Sequence, residues 1–181
     1  MRDMPSWTTA LFAMVLVACG GSAPPASVAG SAAASAALSQ GSGPVVQSAT
    51  GAGNFTVAGE LRTFSFNALK YADGTVQGQY ELFSRSAGVR IHGDVVCLSV
   101  VGNHAWVGGI QDHSIDDVAF PPGGENGFQT VDNGEGATDP TDQLSLMFIN
   151  GPAGFAQAYC DARVDAPALN DIEGGNIQVR N

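Results

Sequence analysis

Imidazoles and carboxylates crowd one part of this chain, where His92, Asp94, His104, Asp112 and His113 stand close together. In an extended strand, side chains two residues apart share a face, which sets His92 beside Asp94. An imidazole steered by a carboxylate is the general-base arrangement of many hydrolases and isomerases. His92, His104 and His113, joined by Asp94, Asp112 or Asp116, also present the donor types that a transition metal takes. Their spacing matches no zinc pattern, so histidines that are hydrogen-bonded or face solvent are the plainer reading.

A second group of oxygen donors follows. Asp132-Asn133-Gly134-Glu135, with Asp139 and Asp142, offers the hard ligands that calcium prefers. The run lacks the alternating ligands, sixth-position glycine and terminal glutamate of an EF-hand. A solvated loop, in which Asp and Asn cap their own backbone, accounts for it equally well. Serines are plentiful, yet the chain holds no G-x-S-x-G elbow, H-E-x-x-H, P-loop or dinucleotide fingerprint. An enzyme is therefore not the leading expectation, and no cofactor is expected.

The elements that must position these groups read as short strands. Residues 61–71 (LRTFSFNALKY) alternate, with Phe64, Phe66 and Ala68 on one face and Thr63, Ser65 and Asn67 on the other. Asp73-Gly74 reads as a two-residue hairpin turn into a second alternating run, 75–83. Residues 89–110 read as two strands joined at Gly102-Asn103. The apolar parity changes near Gly93, which predicts a bulge there. Residues 111–142 are polar and turn-rich around a short strand at 128–131. Residues 144–149 and 155–163 read as partner strands about Asn150-Gly151-Pro152, and 176–179 as an edge strand. About eight strands with hairpin-length connections predict an all-β antiparallel meander forming a β-barrel, with a β-sandwich as the alternative.

The N-terminus carries a different signal. Arg2 precedes a mostly apolar stretch at 7–17, too short for the roughly 20 residues a membrane-spanning helix needs. It ends in Leu16-Val17-Ala18-Cys19, which resembles the lipobox of bacterial prolipoproteins. The resemblance implies a signal peptide at 1–18 and lipidation of Cys19, hence a membrane partner through the lipid. Several acyl chains, at about 0.8 kcal/mol per buried CH₂, would anchor the protein firmly. The implied address is the cell envelope, outside the cytoplasm, and the outer membrane in an organism that has one, because Gly20 stands where an inner-membrane retention aspartate would.

Residues 19–53 are rich in Ala, Ser, Gly and Pro and read as a flexible linker, leaving 54–181 as a single all-β domain. With Cys19 taken by lipid, Cys97 and Cys160 remain as an even pair in an oxidising compartment. A disulfide between them would close a loop of about 60 residues and contribute about 4 kcal/mol on the chain-entropy model. Two buried thiols on separate strands are the alternative. The runs KYADGTVQGQ, HGDVVCLSV, VGNHAWVGG, VDNGEG and DQLSL, in that order, resemble a group of exported bacterial β-domains. That resemblance implies a domain and carries no activity.

Seven Lys and Arg against 17 Asp and Glu give a formal charge of −10. Such a field repels phosphate backbones, which argues against a nucleic-acid partner. The expectation is a lipid-anchored binding or interaction module for a protein or small molecule, its contacts made by the loops of 111–142. One alternative is a lipocalin-like carrier whose barrel is lined by Phe64, Phe66, Tyr80 and Trp106. The other is a hydrolase or isomerase using His92 and Asp94.

Overall fold

The computed structural model describes residues 41–116, 118–136 and 138–181. The expected signal peptide, the lipidation site Cys19 and the expected linker as far as residue 40 lie outside the described residues. Within them the chain runs β1 (Val45–Val57), β2 (Glu60–Tyr71), β3 (Val76–Ser84), β4 (Val89–Val101), β5 (His104–Ser114), β6 (Glu125–Val131), β7 (Gln143–Ser145), β8 (Phe148–Gly151), α1 (Phe155–Ala162), β9 (Leu169–Asp171) and β10 (Gly174–Arg180). The strands pair antiparallel in the order β10-β1-β2-β3-β4-β5-β6-β7-β9, with β8 added to β6. This single sheet curls into a barrel-like all-β fold, as the strand pattern predicts.

Alternation places the core. Phe64, Phe66 and Ala68 of β2 are buried between exposed Ser65 and Asn67. They meet Phe55, Tyr80, Ile91, Val107, Phe128 and Ile177 from the surrounding strands. Successive rings touch from Phe55 to Phe64, Phe66, Phe128 and Tyr80, with centroids 5.2–6.2 Å apart.

The linker is shorter than the sequence suggests, because residues 45–53 are strand. β1 lies between β10 and β2, where bulk is excluded. A Cβ on Gly51 would stand 2.8 Å from the Phe66 ring and 2.9 Å from Ile177, and one on Gly53 would stand 2.1 Å from the Gly174 carbonyl oxygen. The small residues that resemble a tether are those that this crowded position admits. β1 turns into β2 through Ala58-Gly59, both at positive φ (52° and 82°), as a tight two-residue hairpin requires.

Two other local readings change. The β2–β3 loop has three residues, 72–74: Gly74 N–H donates to Tyr71 O, Tyr71 N–H donates to Thr75 O, and only Gly74 takes positive φ. The parity switch in β4 falls at Val96, an extra residue in the β4–β5 ladder, so Ile91, Gly93 and Val95 face inward before it and Leu98 and Val100 after it. The register also shifts between His92 and Gly93, next to the expected bulge.

Residues 155–162 form a helix and not a strand. Its buried residues, Ala156, Tyr159 and Cys160, follow the i, i+3, i+4 spacing of one helical face. The outer face of β4, β5 and β6 receives it. Gly108 lies under the Ala156 carbonyl and Gly127 under the Tyr159 ring, positions where a Cβ would meet 2.7 Å and 2.8 Å contacts. No side chain of its own caps α1. Instead, Glu125 of β6 accepts the Gly154 and Ala156 N–H groups, 2.7 Å each, placing negative charge at the positive end of the helix. The Cys97–Cys160 disulfide ties α1 to β4 across 63 residues of chain.

Candidate functional site

The acidic loop, expected either to bind calcium or to make external contacts, is used by the fold. β10 presents an outer edge whose N–H groups need acceptors. Ile177 N–H donates to Asp142 Oδ2 and Val179 N–H to Asp132 Oδ2, both at 2.8 Å. The second oxygens accept from Asn133 N–H (2.8 Å) and Gly134 N–H (3.0 Å) respectively. Glu135 accepts from the amides of Asn176 and Gln178, and Asp139 from Gly136 N–H. Carboxylates from the β6–β7 connection therefore complete the ladder along β10, in place of a strand. Each of the four acids that sequence reasoning grouped as cation ligands accepts at least one N–H donor.

The barrel interior is filled. The space among Phe64, Phe66, Tyr80, Phe128 and Leu144 measures ≈ 10 Å³, about what one water needs. Burial pushes the Tyr80 phenol well above its ordinary pKa, while Asn126 Nδ2 donates to its oxygen at 2.8 Å. Trp106 belongs to the opposite face, under the segment that follows α1, with its indole N–H donating to Val164 O at 3.1 Å. The four aromatics expected to line one cavity thus pack in two separate layers.

His92 does find a carboxylate, though not the one its spacing suggests. Its Nδ1 lies 2.9 Å and 3.0 Å from the two oxygens of Asp112. His113 Nδ1 lies 2.8 Å from Asp112 Oδ1, and the two imidazoles stack with centroids 4.9 Å apart. A bulge makes this grouping: Gly93 pairs with Gln111 and His92 with His113, leaving Asp112 as the extra residue of β5. Gln111 stands next to the bulge. Its buried amide donates to the carbonyls of Phe120 and Pro121, and its N–H donates to Gly124 O at 2.9 Å. Plain alternation would put Asp112 and His113 on opposite faces; the bulge turns both outward.

Asp112 feels competing influences. Partial burial raises its pKa, but the hydrogen bond from His92 and the positive charge of either imidazolium together hold it below the ordinary carboxylate range. His104 stands apart, stacked on Trp106 and accepting from Gln129 Nε2. Asp116 caps its own turn through the Val118 and Ala119 N–H groups.

Asp94 faces a cleft that sequence reasoning missed. The β3–β4 ladder ends at Gln79↔Asp94, although β4 runs on to Val101 and β3 begins at Val76. The strands part at Gly78, whose φ of 152° and approach to the Asn67 carbonyl, 1.8 Å from where a Cβ would sit, exclude any side chain. The opening measures ≈ 630 Å³ and is bordered by Asn67, Gln79, Asp94 and Asp112 together with Val76, Val96 and Ile110. Gly78 was the one signal available in the sequence, a glycine within a strand pattern.

No known protein family, curated protein or solved structure matches this chain.

Proposed function

We propose that the domain is a non-catalytic binding module and that its ligand occupies the β3–β4 cleft. One observation carries the reading: the sheet parts at Gly78, and the gap of ≈ 630 Å³ falls in the size range of small-ligand sites. Amide and carboxylate groups from Asn67, Gln79 and Asp94 beside exposed Val96 and Ile110 suit a polar small molecule or a short peptide segment with hydrogen-bond donors. This reading moves the contact region from the acidic loops, whose carboxylates are engaged along β10, to the sheet itself. The filled interior favours it over a carrier with an internal apolar cavity.

A lipid anchor at Cys19 would place the module on the extracytoplasmic side of a membrane. Support comes from Leu16-Val17-Ala18-Cys19 and from the Cys97–Cys160 disulfide, a bond typical of exported proteins. The test is an NMR screen of small saccharides and short peptides against the full chain. Hits should shift amides of 76–79 and 94–96, and Val96→Trp, which fills the cleft, should abolish them. Hits that shift other surfaces and survive Val96→Trp would refute the cleft as the site.

A further inference from the structure

We propose that His92, Asp112 and His113 form a divalent transition-metal site on the outer face of the β4–β5 hairpin. Their ligand atoms, two imidazole nitrogens and a carboxylate oxygen, all lie within 4.8 Å of one another. Metal–nitrogen and metal–oxygen bonds of about 2.0–2.2 Å place adjacent ligand atoms of a tetrahedral site about 3.3–3.5 Å apart. The N···O separations of 2.8–3.0 Å are those of proton-bridged partners. Replacing the proton with a metal ion requires each nitrogen to part from the Asp112 oxygen by a few tenths of an ångström and the two nitrogens, which lie within 4.8 Å of each other, to settle at about 3.3–3.5 Å, adjustments that side-chain rotation supplies.

The backbone has already gathered the donors. His92 and His113 are directly opposed across the ladder, and the bulge sets Asp112 beside them, where its carboxylate reaches both Nδ1 atoms. Holding ligands on paired strands lowers the ordering cost that a loop site would bear. The side chains also open toward solvent, in the order His92 (21% exposed), Asp112 (42%) and His113 (62%), so an ion can reach them and keep water in its remaining positions. Glu81, paired across the β3–β4 ladder with His92, adds negative charge nearby, balanced in part by Arg90 at 3.6 Å.

Donor chemistry narrows the ion. Two imidazoles and one carboxylate suit Zn²⁺, Ni²⁺ and Cu²⁺, with Cu²⁺ bound most tightly, and are poorly matched to Ca²⁺ or Mg²⁺, which prefer all-oxygen shells. The chain's net charge of −10 draws cations generally, so selectivity against Ca²⁺ is the informative property.

The experiment is calorimetric titration of the full chain with Zn²⁺ and with Ca²⁺ in a non-coordinating buffer, followed by NMR of the histidine ring protons. One equivalent of Zn²⁺ should bind and move the His92 and His113 resonances while leaving those of His104 in place. His92→Asn and His113→Asn should each weaken Zn²⁺ by about tenfold or more, whereas His104→Asn should bind as the unmodified chain does. The wild-type NMR assignment locates the site even if a variant folds poorly. Absence of saturable Zn²⁺ binding, ring shifts centred on His104, or a His92→Asn protein with unchanged affinity would each overturn the proposal, as would Ca²⁺ binding as tightly as Zn²⁺.

Discussion

Replacing Asp142 with alanine tests whether the acidic loop closes the sheet. Asp142 is 6% exposed, and its carboxylate accepts two backbone N–H groups at 2.8 Å, from Ile177 on β10 and from Asn133 at the head of the loop. Hydrogen bonds to a charged group contribute about 1.5–3 kcal/mol each, and a buried donor left without an acceptor bears its full desolvation cost. Asp142→Ala should therefore destabilise the domain by about 3–5 kcal/mol, a large share of the roughly 5–15 kcal/mol available to a domain. Asp139→Ala is the contrast. That side chain is exposed and accepts one local bond from Gly136, so its loss should cost under about 1 kcal/mol. Urea denaturation of the oxidised protein, with Ca²⁺ or EDTA present, measures both. If the carboxylates instead surrounded a cation position, their mutual repulsion would make Asp142→Ala more stable than wild type in EDTA. Added Ca²⁺ would then raise wild-type stability. Either result, or a loss below about 1 kcal/mol for Asp142→Ala, refutes the structural role.

Two further outcomes follow. Asp73 accepts from the N–H of Thr75 and from the N–H and hydroxyl of Ser42, which hold its carboxyl far below the ordinary range. Its stabilising effect is thus present above its unfolded pKa and lost as pH falls through the lower folded value. Amide exchange at Ser42 and Thr75 should speed up in Asp73→Ala at neutral pH, and in wild type only well below about pH 4; unchanged Ser42 protection in the variant would contradict the tether. Cys19→Ser should move the protein from the membrane fraction to the soluble one and remove incorporation of labelled fatty acid, and membrane retention by the variant would exclude the anchor.

How much of the fold was legible depended on how large the side chains were. β2 declares itself because Phe64, Phe66 and Ala68 alternate with Ser65 and Asn67. β1 declares only its end, where Phe55 and Val57 alternate with polar neighbours; over 45–53, Gly51 and Gly53 leave room for Phe66, Ile177 and the β10 backbone, and a stretch built by leaving space carries no apolar period. For α1, FAQAYCDA satisfies a two-residue period as well as a helical one. What selects the helix lies elsewhere in the chain, in Glu125 and in the bare backbone at Gly108 and Gly127. The disulfide was legible only with Cys19 set aside for lipid and an oxidising compartment assumed, which leaves Cys97 and Cys160 as a pair; the sequence kept two free thiols as the alternative, and the structure joins them.

The candidate site shows the same limit at finer scale. Period-two reasoning finds His92 and pairs it with Asp94, which is correct for an unbroken strand. One extra residue in β5 replaces that pairing with Asp112 and His113, while Asp94, at the last β3–β4 pair, is left facing the cleft. Next to the bulge stands Gln111, whose buried amide donates to the carbonyls of Phe120 and Pro121 in the β5–β6 connection. A glutamine reads as a polar surface residue in sequence, so nothing in its type announces that it is 1% exposed. The chemistry of the outer face is thus set by irregularities, the bulge at Asp112 and the parting of strands at Gly78, and these arise from contacts far apart in sequence. Regular alternation builds the filled interior, and the departures from it create the cleft beside Gly78 and the His92–Asp112–His113 cluster, which share Asp112.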